Sequence, residues 1–200
     1  LGFSLLWAIG GREKSFKEYT KRIGWVEPSS ALYKEGVRPG DIVEKYDGRE
    51  FRGVKDLLVA SVMDEATTQI EGIKVDYESG ERFPYHYTLQ NDKGAREIRT
   101  IGISDPASYL IYNQNDGLQG APILQSGIQP GDRLIWADGE VLFSLKQLSY
   151  VINEPTVFLT ARRGESVFQT KVPRVHLDDL RMSSYEKAEV DDWQHEVGLK

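Results

Sequence analysis

A chain of 200 residues, 40 % of them apolar, is long enough for one large or two small domains and apolar enough for packed cores, which excludes global disorder. A net charge of −6 and a pI near 5.2 argue against a phosphate-backbone partner, which calls for clustered Lys and Arg. No cysteine is present, so neither a disulfide framework nor a thiolate metal site can form, and the redox compartment is not legible.

In chain order, residues 1–9 form an apolar run too short to cross a bilayer, which takes about 20 residues. With Trp7 at an interface and charges from Arg12 onward, residues 1–20 read either as the exit end of a longer membrane helix with its linker or as a first strand or unstructured end. Residues 10–21 read as a linker or a short helix, with Ser15 as its N-cap and Glu18 three residues on. A strand is expected over Ile23–Val26, and Ser30 caps a short helix over Ala31–Lys34 that Gly36 closes. Pro39 and Gly40 make a tight turn that the Asp41 side chain can bond back to, and Ile42–Tyr46 is a strand folded by the hairpin pair Asp47 and Gly48. A helix follows from Val54 to about Asp64, with Val54, Leu57, Leu58 and Val62 on one face. Then comes a hairpin of Ile70–Tyr77 and Phe83–Leu89, a polar stretch, and a last strand Ile101–Ile103.

The same order returns 91 residues later. Gly36, Pro39, Gly40, Asp41, Asp47, Gly48, Lys55 and Leu57 fall on Gly127, Pro130, Gly131, Asp132, Asp138, Gly139, Lys146 and Leu148, with Val37, Val43 and Phe51 on Ile128, Leu134 and Leu142. A unit repeated only twice at this period is a small domain, not a solenoid element. The second copy has its helix over Leu145–Asn153, capped by Ser144, and a hairpin of Thr156–Ala161 and Ser166–Val172. Its last strand is read at Val197–Leu199. The intervening segment 177–196 carries seven carboxylates against Arg181 and Lys187 and is expected to be a solvated helix or loop. The fold class is α+β, mostly β: two partly open β-barrels in tandem, each with one short and one longer helix. The domain boundaries fall at 21–104 and 105–200.

An apolar strand ending in Pro28, Ser29, Ser30 and Ala31, then Gly36-Val37-Arg38-Pro39-Gly40-Asp41, Asp47-Gly48 and an amphipathic helix, resembles a PDZ domain of the bacterial type. The Φ-Gly-Φ strand comes last in both copies, which is similar to the circularly permuted form. Two of these in tandem resemble the periplasmic region of the site-2 protease family of intramembrane zinc metalloproteases. Residues 113–122 depart from the pattern that Pro28, Ser30 and Ala31 keep. The resemblance implies a groove in which a peptide adds a strand, its terminal carboxylate cradled by backbone N–H groups. In the first copy it assigns Ile101, Gly102 and Ile103, with Val54 and Leu58 lining the pocket. In the second it assigns Val197, Gly198 and Leu199, with Leu145 and Ser149.

That family's catalytic signature, His-Glu-x-x-His, is not met: His195 and Glu196 form the only His-Glu pair, and Leu199 stands where the second imidazole belongs. No Gly-x-Ser-x-Gly turn or phosphate loop occurs either. The expectation is therefore a chain with no catalytic residue and no cofactor of its own, zinc being held elsewhere in the parent protein. By the resemblance it lies on the periplasmic face of a bacterial inner membrane, tethered to that parent. It filters membrane protein substrates or peptide C-termini in regulated intramembrane proteolysis. The alternatives are the PDZ tandem of a periplasmic serine protease and a stand-alone peptide-binding scaffold.

Overall fold

The repeat shows in the structure as two copies of the same turn. A computed structural model describes residues 15–62, 66–90, 92–93, 99–113, 126–151, 157–172 and 180–182. In the first copy the Arg38 N–H donates to Asp41 Oδ2 at 2.8 Å; in the second the Gln129 N–H donates to Asp132 Oδ2 at 2.8 Å. Gly40 and Gly131 both take φ of +96°, a conformation open to glycine at little cost. The hairpin aspartates match as well: Asp47 and Asp138 both sit at φ +47° and accept the N–H of Gln69 and Phe158, each at 2.9 Å.

In the first half, Ser15 opens α1 (Phe16–Tyr19), its N–H and hydroxyl both donating to Glu18 Oε1. Strand β1 (Ile23–Val26) follows, then α2 (Ala31–Lys34), whose Tyr33 N–H is capped by Ser30 Oγ at 3.2 Å. Next come β2 (Ile42–Tyr46), β3 (Arg49–Glu50) and α3 (Val54–Val62), which opens with the Arg52 N–H donating to Asp56 Oδ2. The long hairpin is β4 (Thr67–Val75) and β5 (Arg82–Gln90), giving the sheet order β3-β2-β4-β5. It turns two residues earlier than the sequence suggests. Asp76 accepts the Glu78 N–H and the Ser79 hydroxyl, which ends the strand at Val75 and releases Tyr77 from the ladder. Short strands β6 (Asp92–Lys93) and β7 (Arg99–Thr100) pair with each other, and β8 (Ile103–Pro106) pairs antiparallel with β1.

The second half contains β9 (Leu110–Tyr112), β10 (Arg133–Ala137), β11 (Glu140–Val141) and α4 (Leu145–Val151). The hairpin β12 (Val157–Arg163) and β13 (Ser166–Val172) follows, and then β14 (Leu180–Met182). The sheet path is β13-β12-β10-β9-β14. Gly164 at φ +56° allows a two-residue turn, so β12 runs to Arg163 and not only to Ala161. Segment 177–196 differs from its expected helix or loop at residues 180–182, where Leu180 and Met182 alternate with Arg181 at strand period and pair with Tyr112 and Leu110. Residues 1–14, read as a membrane-helix end, lie outside the described residues. No helix among the described residues is long and apolar enough to cross a membrane.

Each half has its own apolar cluster. The aligned pairs Val37 and Ile128, Val43 and Leu134, and Phe51 and Leu142 are buried in corresponding places. A third cluster joins the halves: Phe16, Ala107, Tyr109, Val141 and Phe143 are buried together, with Tyr77 and Trp136 against them. The architecture is α+β and mostly β, as the sequence pattern indicates.

The matched turn aspartates are held differently. Asp132 is gripped by Arg163, Nε to Oδ1 at 2.8 Å and Nη2 to Oδ2 at 2.7 Å, whereas among the described residues Asp41 Oδ1 accepts the Val75 N–H at 2.9 Å and no side chain. Burial pushes the Asp41 carboxyl up from 3.8 to about 6, against the pull of the Arg38 and Val75 N–H groups. Because the folded value lies above the unfolded one, this group favours the fold fully below pH about 4, and that contribution is lost as pH rises through about 6. A carboxyl-carbon NMR titration is expected to place the Asp41 midpoint near 6; a midpoint at or below 4 would refute it.

Candidate functional site

Helix α3 and strand β8 face each other across the cleft where the first groove was expected. Val54 and Leu57 from α3 and Ile103 from β8 line it, with Ile23, Val43 and Phe51 beneath and Asp105 at one end. The helix residue that joins Val54 here is Leu57; the Leu58 side chain lies outside the described residues. The cavity measures about 10 Å³, the room of one water.

Ile101 and Gly102 precede the strand instead of belonging to it. Gly102 sits at φ +104°, outside the extended region of strand backbone, and Ile101 is buried in the first core with Ile23 and Val26. The Gly102 carbonyl accepts the Glu27 N–H at 2.9 Å, and a Cβ at this position would lie 2.2 Å from Ser30 Cβ. Glycine is therefore required by both conformation and close approach, and it anchors β8 to the start of α2.

In the second half, Leu145 packs against the core of its own module, and the Ser149 hydroxyl donates to the Lys146 carbonyl at 2.7 Å, committed to its own helix. Val197, Gly198 and Leu199 lie outside the described residues. The strand that holds beside β9 the place β8 holds beside β1 is β14. The correspondence of β9 with β1 rests on backbone bonds. Ile23 N–H donates to Asp41 O and accepts from Gly40 N–H through its carbonyl, and Tyr112 does the same with Asp132 and Gly131. Tyr112 follows Ile23 by 89 residues, whereas the turns are 91 apart, so the second copy carries two more residues between strand and turn.

Sequence reasoning also missed how the halves meet. Helix α4 packs on β1 of the first half: the buried Ser144 hydroxyl donates to the Gly24 carbonyl at 2.8 Å and caps the Gln147 N–H at 3.0 Å. Lys146 bonds Glu27 and, at 3.0 Å, Ser104 Oγ. Burial pushes the Glu27 carboxyl up, but Lys146 more than offsets this and holds it below the usual range. Next to this junction a cleft of about 340 Å³ opens between the halves, walled by Trp25, Tyr33, Tyr77, Trp136, Phe143 and Tyr150. Two ring pairs bridge it, Trp25 with Tyr150 at 5.2 Å and Tyr77 with Phe143 at 5.0 Å. Its walls come from segments spread between residues 25 and 150, so no local pattern announces it.

Among the described residues no group of three His, Asp or Glu side chains is placed to hold a metal ion. No family model matches the chain. Curated proteins do match, among them two that cover practically the whole chain. A protein of Chlamydia pneumoniae named "Putative zinc metalloprotease" is 33 % identical over 201 residues, covering 100 % of this chain and 31 % of that protein. A protein of the same name from Chlamydia trachomatis serovar D is 35 % identical over 199 residues, covering 99 % of this chain and 31 % of its own length. The chain thus spans about a third of the proteins it matches, and what it is similar to throughout is one continuous portion of proteins named as zinc metalloproteases.

Proposed function

We propose that this chain is the non-catalytic filtering region of a membrane-embedded zinc metalloprotease of the site-2 type, with two permuted PDZ-like modules over residues 21–104 and 105–200. The metal and the catalytic groups would belong to the remaining two thirds of such a protein, and the modules would stand on the periplasmic face of the membrane. What supports the filter reading is the narrowness of the α3–β8 cleft, where the cavity between Val54, Leu57 and Ile103 measures about 10 Å³, the room of one water. A region of this form discriminates by bulk. It obstructs large folded segments while retaining no free C-terminus.

Calorimetry of the chain against a library of peptides with free C-termini tests this. A receptor groove would draw about 1.5–3 kcal/mol from a charge-assisted bond to the terminal carboxylate, a ten-fold or larger loss on amidation. The expected result is no ligand tighter than millimolar. A micromolar ligand whose binding is lost on amidation would overturn the filter reading and establish a receptor in its place.

A further inference from the structure

The cleft between the halves belongs to neither groove, and its lining has a definite chemistry. Its volume of about 340 Å³ lies in the range of small-ligand sites, which run from roughly 300 to 1,000 Å³. Aromatic faces carry negative potential and attract cations. The lining already shows this preference, since the Arg38 guanidinium lies over the Tyr33 ring at 3.6 Å. Arg38 also donates to the Tyr33 and Val37 carbonyls, so it is committed to its own turn. The other cations nearby have anionic neighbours: Lys146, over Trp25, is paired with Glu27, and Arg22, behind Tyr77, lies in the field of Asp41. Glu140 is exposed among the lining residues, and among the described residues its carboxylate meets the Gln147 amide, at 3.5 Å. The cleft is thus aromatic on its walls, with the Glu140 carboxylate at its lining and Arg38 already committed to its own turn. The whole chain, at −6, biases the approach of cations in the same direction.

We propose that this cleft binds the guanidinium of an arginine side chain carried by an extended polypeptide. The cation's source rests on the protease-filter reading above; the site itself rests on the rings of the two halves and on Glu140. Arginine fits better than lysine because its flat, weakly hydrated guanidinium stacks between rings while its edge donates to a carboxylate. Such a site gives the region a preference for sequence where its narrow groove gives one for bulk.

The test uses the full chain and three probes: N-acetyl-Ala-Arg-Ala-amide, the same peptide with citrulline for arginine, and tetramethylammonium. The amidated ends exclude capture of a carboxylate, so the result is independent of the groove experiment. The indole N–H resonances of Trp25 and Trp136 are expected to shift saturably with the arginine peptide, at an affinity at least about five-fold above the citrulline peptide. Glu140→Gln, an exposed change that leaves the fold intact, is expected to weaken the arginine peptide about three-fold, and Trp136→Leu about five-fold. Equal binding of the citrulline peptide, no saturable shift, or no effect of Glu140→Gln would overturn the proposal. Tetramethylammonium binding as tightly as the arginine peptide would overturn it too, in favour of a lipid headgroup.

Discussion

Phe143→Ala is expected to lower the unfolding free energy by about 3–5 kcal/mol, the range for removing a large aromatic ring from a core. Phe143 is 2 % exposed and sits where the two halves share a cluster with Phe16, Ala107, Tyr109 and Val141. Its ring packs at a tilt against Tyr77 of the first half, centroids 5.0 Å apart, and lies so close to Gly40 that a Cβ there would come within 2.6 Å. The backbone bonds of this residue, its N–H to Gln147 Oε1 and its carbonyl from the Ser108 N–H, survive the change. The loss therefore reports the ring alone. Denaturant unfolding followed by tryptophan fluorescence measures it, and the wild-type transition is expected to separate into two as the halves uncouple. A loss below about 1 kcal/mol with one transition would mean that the shared cluster does not hold the halves together.

The second large effect is expected at Gly24, in the middle of β1. A Cβ there would lie 2.3 Å from the Pro106 carbonyl oxygen and 2.6 Å from its carbon, atoms of the β8 backbone that no rotamer change can move aside. The same residue's carbonyl accepts the buried Ser144 hydroxyl at 2.8 Å, so parting β1 from β8 also disturbs the contact with α4. Gly24→Ala is expected to cost about 3 kcal/mol, the upper end of ordinary overpacking. The readout is a fall in the denaturation midpoint together with loss of hydrogen-exchange protection at the Ala107 N–H, which donates to the Arg22 carbonyl. Unchanged protection at that amide would refute the steric account.

Local chemistry made much of the fold legible. Ser30 as a cap, Asp41 bonding back to its turn, and Asp47 with Gly48 as a hairpin are each decided by neighbours within a few residues, and each is found as expected. The repeat carried these assignments to Gln129, Asp132 and Asp138 without a separate argument. Strand ends were less legible. Asp76 terminates β4 through its own side chain, and Gly164 tightens the second hairpin, choices between turn types that the polar residues alone leave open. The strands β9 and β14 escaped notice because each is three residues long and is defined by its partner, not by its own periodicity. At the candidate sites, Val54 and Ile103 do face one cleft, but the register of a glycine at positive φ turns Ile101 into the core. The inter-half cleft depends on α4 lying against β1, a contact across about 120 residues that no pattern in either segment encodes.

The placement of β1 has a consequence for how the chain becomes native as it leaves the ribosome. Ile23 pairs with Pro106, and Gly24 receives the hydroxyl of Ser144, so an early segment waits for partners made much later. Until residue 106 has emerged, the backbone partners of β1 among the described residues are Gly40 and Asp41, and the surface destined for α4 stays wet until residue 151 is out. Pairings this distant in sequence close slowly, because loop entropy is lost before the contacts form. During that interval the aromatic side of the first half, Trp25 and Tyr77 included, is open to other chains.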